Sequence, residues 1–130
     1  MSKRILIIDD EDDIREVAKV SLEMMAGWDV VTAECGRAGL QVAGETRPDA
    51  ILLDVMMPDM DGPTTFQALQ ANAATASIPV ILLTAKVRAA DRDRFTALGV
   101  NGVIAKPFDP IQLPQEVAAA LGWPPETIEA

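Results

Sequence analysis

The feature that most constrains the fold is a set of short, unbroken apolar runs that alternate with amphipathic patterns. The three longest runs are rich in branched residues and cover positions 5–8, 50–53 and 78–83, and shorter ones occur at 30–31 and 103–104. A strand with one face in water alternates polar and apolar residues, whereas an unbroken run indicates burial on both faces. The sequence therefore predicts a parallel β-sheet that is covered by helices on both sides.

Five helical segments follow the five runs. The first has a predicted core face made of Ile14, Val17, Ala18, Ser21, Leu22 and Met25, with Gly27 as its stop signal. The next three are predicted at 37–46, 63–71 and 88–98, and the fifth begins at Pro110 with Asp109 as its N-cap. Alternating strands and helices predict a doubly wound α/β fold, for which the flavodoxin-like strand order 2-1-3-4-5 is one common solution. We expect one domain over 1–121 and a short tail over 122–130.

Composition excludes several classes of protein. The chain has 130 residues, a formal charge of −9, no histidine and one cysteine. It therefore cannot build a Ser-His or Cys-His nucleophile pair, a His/Cys zinc site or an internal disulfide bond. The acidic balance disfavours nucleic acid and anionic membrane as main partners, and no apolar run approaches the ~18 residues that span a bilayer. We expect a cytoplasmic protein.

Polar residues follow four of the predicted strands. Asp9 and Asp10 follow the first strand, Asp54 the third, Thr84 the fourth and Lys106 the fifth. In the order 2-1-3-4-5 these strands are consecutive neighbours, about 4.8 Å apart, and ligands of open α/β sheets bind beyond such strand ends. Three carboxylates, a hydroxyl and an ammonium group are therefore expected along one edge of the sheet.

This set of side chains suits phosphoryl transfer. Clustered carboxylates repel one another and need a cation, and an oxygen-only site favours Mg²⁺, which also binds phosphate oxygens. An aspartate carboxylate is able to attack phosphorus and form an acyl phosphate. Lys106 supplies a positive charge for the phosphoryl group, and Thr84 supplies a neutral hydrogen-bond donor.

Four motifs together resemble the receiver domain of bacterial response regulators in its stand-alone form. They are Ile-Ile-Asp-Asp-Glu at 7–11, Leu-Leu-Asp-Val-Met-Met-Pro-Asp-Met-Asp-Gly at 52–62, Leu-Thr-Ala at 83–85 and Lys-Pro-Phe at 106–108. The resemblance extends from residue 3 to about residue 121. It implies the 2-1-3-4-5 fold and a role as a phosphoprotein in two-component, phosphorelay signal transduction, without an external small-molecule substrate.

The resemblance also implies roles for single residues and partners. Asp54 would accept a phosphoryl group from a sensor histidine kinase or a histidine phosphotransfer protein, with Thr84 and Lys106 contacting that group. Asp10, Asp9, Asp54 and the backbone carbonyl of Met56 would bind Mg²⁺. A cis peptide bond is expected before Pro107. Output would pass through a downstream target protein, and a homodimer through the fourth helix, fifth strand and fifth helix remains an alternative.

Three positions bear on how such a switch would work. Relatives usually carry an aromatic residue where this chain has Val103, so this chain lacks the ring that couples to the threonine in those relatives. Met56 and Lys86 occupy positions that tune acyl-phosphate hydrolysis in the family. A phosphorylation-independent docking module is therefore one alternative, and an aspartyl-phosphate phosphatase is another. Asp59 and Asp61 are interpreted as turn formers with Gly62, not as ligands.

Overall fold

The computed structural model of the protein describes residues 3–85 and 88–128, in which five strands and five helices alternate. The strands are β1 (Arg4–Ile8), β2 (Asp29–Ala33), β3 (Ala50–Asp54), β4 (Val80–Thr84) and β5 (Gly102–Ala105). The helices are α1 (Asp12–Ala26), α2 (Gly36–Thr46), α3 (Gly62–Ala71), α4 (Ala89–Leu98) and α5 (Leu113–Leu121). Within this described part of the chain, no helix combines the length and apolarity needed to cross a membrane.

All five strands pair in parallel in the order β2-β1-β3-β4-β5, which confirms the predicted fold and strand order. Pro79 lies just before β4, where a residue without an N–H is tolerated, and its carbonyl accepts a hydrogen bond from Ile51 at 3.0 Å. The register pairs Ile8 with Leu53 and Asp54 with Leu83, so neighbouring strands end at nearly the same level. This alignment brings the residues that follow the strands to one edge of the sheet.

The unbroken apolar runs fill two core layers, because successive strand residues point to opposite faces of the sheet. Ile5 and Ile7 of β1 pack with α1 and α5, whereas Leu6 and Ile8 of the same strand pack with α2, α3 and α4. The middle strands β3 and β4 are buried along their whole length. Burial on both faces is the reason that their sequences do not alternate.

The predicted core face of α1 is partly wrong. The helix buries Ala18, Ser21, Leu22 and Ala26, while Val17 and Met25 are 40% and 38% exposed. The helix has a second apolar stripe on its outer side, so apolar periodicity alone could not select the buried one. Ala18, Leu22 and Ala26 form the stripe that packs on the core layer of the sheet, whereas the Ser21 hydroxyl donates to the Pro110 carbonyl.

The predicted start of α5 is also wrong, because the helix begins at Leu113 with Gln112 as its N-cap. Asp109 instead caps a preceding turn, in which its side chain accepts a hydrogen bond from the Ile111 N–H at 2.9 Å. Pro114 supplies the reason. It has no N–H to donate to the Pro110 carbonyl, which accepts a hydrogen bond from the Ser21 hydroxyl of α1 instead.

The segment after α5 returns to the core instead of extending away from it. Trp123 meets the Trp28 ring edge-on at a centroid distance of 5.4 Å, and the ammonium of Lys3 lies 4.9 Å from the Trp123 ring. The Trp28 indole N–H donates to the Thr127 carbonyl at 2.8 Å, within a single 3₁₀ turn over Pro125–Thr127. The division into a domain and a separate tail stays a prediction.

We expect Trp123→Ala to lower the free energy of unfolding by about 2 kcal/mol, because it removes a half-buried ring from the cluster with Trp28. Urea titration followed by far-UV circular dichroism measures this change. Gln115→Ala, an exposed substitution on α5, is the control and should stay within about 0.5 kcal/mol of the parent. Equal stabilities of the Trp123 variant and the parent would show that the tail does not contribute to folding.

Candidate functional site

The structure brings the predicted site residues together at the carboxyl ends of four neighbouring strands. Asp9 follows β1 and is fully buried, and Asp54 and Thr84 end β3 and β4 with exposures of only 3% each. Lys106 follows β5, and its backbone N–H donates to the Thr84 carbonyl at 2.9 Å. Asp10, the remaining predicted carboxylate, is exposed beside them.

The Lys106 ammonium is the common partner of the carboxylates. Its Nζ lies 2.7 Å from Asp9 Oδ2 and donates a hydrogen bond to Asp54 Oδ1 at 3.0 Å. It also lies 3.5 Å from Glu11 Oε1, a contact that residue type and spacing do not predict. The side chain is only 12% exposed, so this positive charge is largely withdrawn from water and held by the carboxylates.

One loop residue and one residue of α1 hold Asp9 in place. The Glu11 backbone N–H donates to Asp9 Oδ1 at 2.9 Å. Arg15, on the first turns of α1, donates from Nη1 to the Asp9 carbonyl at 2.7 Å and pairs with Asp12. Arg15 was missed by sequence reasoning, since spacing along a helix reveals the pair with Asp12 but not a contact with a backbone carbonyl.

The loop between β3 and α3 is tied down by the two aspartates interpreted as turn formers. Asp61 caps α3 by accepting from the Thr64 N–H at 2.8 Å. Asp59 instead accepts hydrogen bonds from the Gly36 and Arg37 N–H groups, at 3.2 and 3.1 Å, at the start of α2. These backbone hydrogen bonds outweigh the opposing effect of burial and lower the pKa of Asp59. Residue type and spacing do not predict this link to α2.

The donor set fits a hard divalent cation. Carboxylate oxygens of Asp9, Asp10, Glu11 and Asp54 all lie within 4.8 Å of one another. Oxygens bound to Mg²⁺ at about 2.0–2.1 Å are at most about 4.2 Å apart, so small shifts would complete such a site. Asp54 Oδ2 is buried and accepts no hydrogen bond from residues 3–85 or 88–128. A buried acceptor without a donor is what a metal ligand at this position requires.

Comparisons with known proteins decide the family. A family model described as the response regulator receiver domain matches residues 5–118. The chain belongs to the response regulator receiver domain family. The cis peptide bond expected from that resemblance is present between Lys106 and Pro107.

This receiver domain is similar to curated and solved relatives. It is 41% identical over 118 residues to the DNA-binding dual master transcriptional regulator RpaA of Synechocystis, covering 91% of this chain and 48% of that protein. It is 38% identical over 121 residues to the phosphate regulon regulator PhoB of Pseudomonas aeruginosa, covering 93% and 52% respectively. The chain thus spans about half the length of these curated relatives.

Solved structures show the same architecture. The chemotaxis response regulator CheY4 of Vibrio cholerae has a TM-score of 0.86 at 30% identity, covering 92% of this chain and 99% of that one. The receiver domain of a sensor histidine kinase from Pseudomonas aeruginosa has a TM-score of 0.81 at 28% identity, covering 94% and 99%. That second structure contains a magnesium ion coordinated in its active site cleft.

The electrostatic surroundings of Asp54, the candidate phosphoacceptor, destabilise its ionised form. Burial, together with the Asp9 and Asp10 carboxyls, raises the pKa of Asp54 to about 6 against the lowering effect of Lys106. For Lys106 burial alone would lower the pKa, but Asp9 and Asp54 raise it above the ordinary value. At neutral pH the site therefore holds an ionised but destabilised carboxylate next to a protonated amine.

The raised pKa of Asp54 predicts a pH-dependent stability. Its folded-state pKa of about 6 exceeds the ordinary aspartate value of 3.8, so the native state binds more protons between these values and stability falls as pH rises. Without divalent cations, the free energy of unfolding of the parent should decline relative to Asp54→Asn between about pH 4 and pH 7. The decline in the unfolding free energy relative to Asp54→Asn should be about 1 to 3 kcal/mol. The upper figure corresponds to a pKa difference of about two, at about 1.36 kcal/mol for each pKa unit.

Urea titrations across this pH range measure the difference, and Asp93→Asn on the exposed side of α4 controls for net charge. A gap between parent and Asp54→Asn that stays constant with pH would contradict the raised pKa.

Gly62 allows α3 to start against the backbone of the phosphoacceptor candidate. Its N–H donates to the Val55 carbonyl at 2.8 Å. A Cβ atom at this position would lie 2.7 Å from the Asp54 carbonyl oxygen and 2.9 Å from Val55 Cα. Both neighbours are backbone atoms, so they cannot yield by changing a rotamer.

We expect Gly62→Ala to lower the free energy of unfolding by about 1–3 kcal/mol, because the added methyl group forces the β3–α3 loop away from α3. Gly44→Ala is the matched control, since nothing lies within 4 Å of a Cβ there and alanine is favoured within a helix. That control should raise stability by about 0.5–1 kcal/mol. Urea titration of both variants tests the contrast, and a neutral Gly62 variant would contradict it.

Of the three positions that bear on the switch, the structure describes Val103 and Met56. Val103 on β5 is half-buried and packs on the core layer that faces α2, α3 and α4. The Met56 side chain is 69% exposed, while its backbone N–H donates to Asp54 Oδ1 at 3.4 Å. Lys86 lies outside the described residues. That Val103 alters the coupling between Thr84 and β5 stays a prediction.

Proposed function

We propose that this receiver domain is a Mg²⁺-dependent phosphoacceptor on which Asp54 receives a phosphoryl group from a histidine kinase or a histidine phosphotransfer protein. The observation that carries the proposal is the Lys106 ammonium, which extends from the end of β5 to lie 3.0 Å from Asp54 and 2.7 Å from Asp9 at the ends of the adjacent strands β3 and β1. In this proposal the domain acts in the cytoplasm and requires no external small-molecule substrate.

Each site residue has a defined task in this proposal. An Asp54 oxygen attacks phosphorus while the bond from phosphorus to the donor nitrogen breaks, and that nitrogen leaves with the donor. Lys106 already contacts Asp54 and pairs with the phosphoryl oxygens as they arrive. Thr84 donates its hydroxyl hydrogen to the phosphoryl group.

Asp9, Asp10, Asp54 and the Met56 carbonyl are the proposed Mg²⁺ ligands. A bound Mg²⁺ would neutralise the carboxylates and contact the oxygens of the phosphoryl group. The buried Asp54 Oδ2, which accepts no hydrogen bond from the described residues, supports this assignment.

The surface beside the site suits a protein donor. Of the six large apolar side chains exposed among the described residues, five lie on α1 or just before α5. They are Val17, Val20, Met24, Met25 and Ile111. They line a groove of about 370 Å³ between α1 and the turn before α5, where Pro110 also contributes. We assign this groove to the histidine-bearing donor, which has to bind the domain while its phosphoryl group reaches Asp54. Ile14, which is half-buried, precedes Val17 by about one turn of the same helix.

The two alternatives have less support. A phosphorylation-independent docking module would not need Asp9, Asp54 and Lys106 in contact. An aspartyl-phosphate phosphatase of the kind considered needs a second carboxylate two residues after the nucleophile, where this chain has the exposed Met56. Output through phosphorylation-dependent binding of a target protein, with or without dimerisation through α4, β5 and α5, completes the proposal.

We expect incubation with Mg²⁺ and acetyl phosphate to add one alkali-labile phosphoryl group, and Asp54→Asn to abolish the addition, because that change removes the nucleophilic oxygen. Intact-mass spectrometry measures it. Asp93→Asn, on exposed α4, is the matched control and should be labelled like the parent. Unchanged mass in the parent would support the docking module, and turnover of an external phosphomonoester would support the phosphatase.

A further inference from the structure

Glu11 lies in the site without a role in the proposed chemistry. It is the N-cap residue of α1, and its side chain makes no capping hydrogen bond. The carboxylate instead extends toward Lys106, with Oε1 3.5 Å from Nζ. Its position is therefore set by the site and not by the helix.

Glu11 differs from the other carboxylates around Lys106 in its exposure. The Asp9 and Asp54 side chains are 0% and 4% exposed, whereas that of Glu11 is 60% exposed. An incoming donor therefore meets the Glu11 charge at the solvent side of the site. Because phosphoryl donors are anions, this carboxylate repels them, and it also competes with them for Lys106.

We infer that Glu11 is a specificity-determining residue that slows phosphorylation by small, strongly anionic donors and so favours a donor that docks as a protein. The inference rests on the proposed function. Binding of a protein donor along the apolar groove beside α1 offsets the repulsion, whereas a small free anion gains nothing from that groove. Although its carboxylate lies within 4.8 Å of those of Asp9, Asp10 and Asp54, Glu11 acts through its charge and through Lys106 and not as a metal ligand, and the Mg²⁺ titration below tests this distinction.

The test compares two small donors at saturating Mg²⁺. Acetyl phosphate gives its phosphoryl group to Asp54 as its phosphorus–oxygen bond breaks and acetate leaves. The less negatively charged phosphoramidate does so as its phosphorus–nitrogen bond breaks and ammonia leaves. Glu11→Gln should raise the second-order rate constant for acetyl phosphate on the order of threefold to tenfold, and that for phosphoramidate by less. The gain should shrink as ionic strength rises from about 0.1 M to about 1 M.

Matched variants separate this inference from simpler explanations. Asp13→Asn removes one exposed carboxylate from the first turn of α1 and should change the rate less than about twofold. Glu11→Asp keeps the charge and should stay as slow as the parent. Calorimetric titration should give Mg²⁺ dissociation constants for Glu11→Gln and the parent within about threefold of each other. Loss of a metal ligand, or of a residue that orients one, would instead weaken Mg²⁺ affinity about tenfold or more.

Four results would overturn the inference. They are an unchanged or slower Glu11→Gln variant, equal acceleration of the two donors, equal acceleration in Asp13→Asn, and Mg²⁺ binding weakened about tenfold or more in Glu11→Gln. Each of these leaves the proposed function intact if the parent is still labelled at Asp54. Absence of label in the parent would overturn the proposed function and this inference together.

Discussion

The site depends on a single buried positive charge that several negative charges share. Parallel strands that end at the same level force Asp9 and Asp54 together, and Lys106 from the last strand lies between them at 2.7 and 3.0 Å. The balance is incomplete, because burial and the neighbouring acids still raise the pKa of Asp54 to about 6. The ionised form of Asp54 is therefore destabilised, and a cation bound among the carboxylates would stabilise it.

The fold was predictable because its main signal is burial on both faces of the sheet. The unbroken runs located the strands, whereas the order 2-1-3-4-5 was one of a small set of allowed topologies and was implied by the resemblance to receiver domains. The errors have specific causes. On α1, two apolar stripes compete and periodicity cannot choose between them. Before α5, the helix-start signal at Asp109 is real but belongs to a turn, since Pro114 removes the hydrogen bond that would continue it.

The site was predictable to the extent that its residues follow strands directly. Asp9, Asp54, Thr84 and Lys106 lie at strand ends, so topology alone brings them to one edge. Contacts made by loops and helix starts were not predictable. Arg15 binds a backbone carbonyl, and Asp59 binds two N–H groups of a distant helix. Such contacts depend on loop conformation, which residue type and spacing do not specify.

The position of the two tryptophans has a practical consequence. Trp28 precedes β2 and Trp123 follows α5, so both lie at the end of the sheet opposite the carboxylates. A five-residue strand separates the two ends by about 16 Å. Intrinsic fluorescence of this protein should therefore report docking of the C-terminal segment and be a poor optical probe of metal occupancy. A spectroscopic reporter of the acidic cluster would have to be introduced near Met56, whose exposed side chain adjoins it.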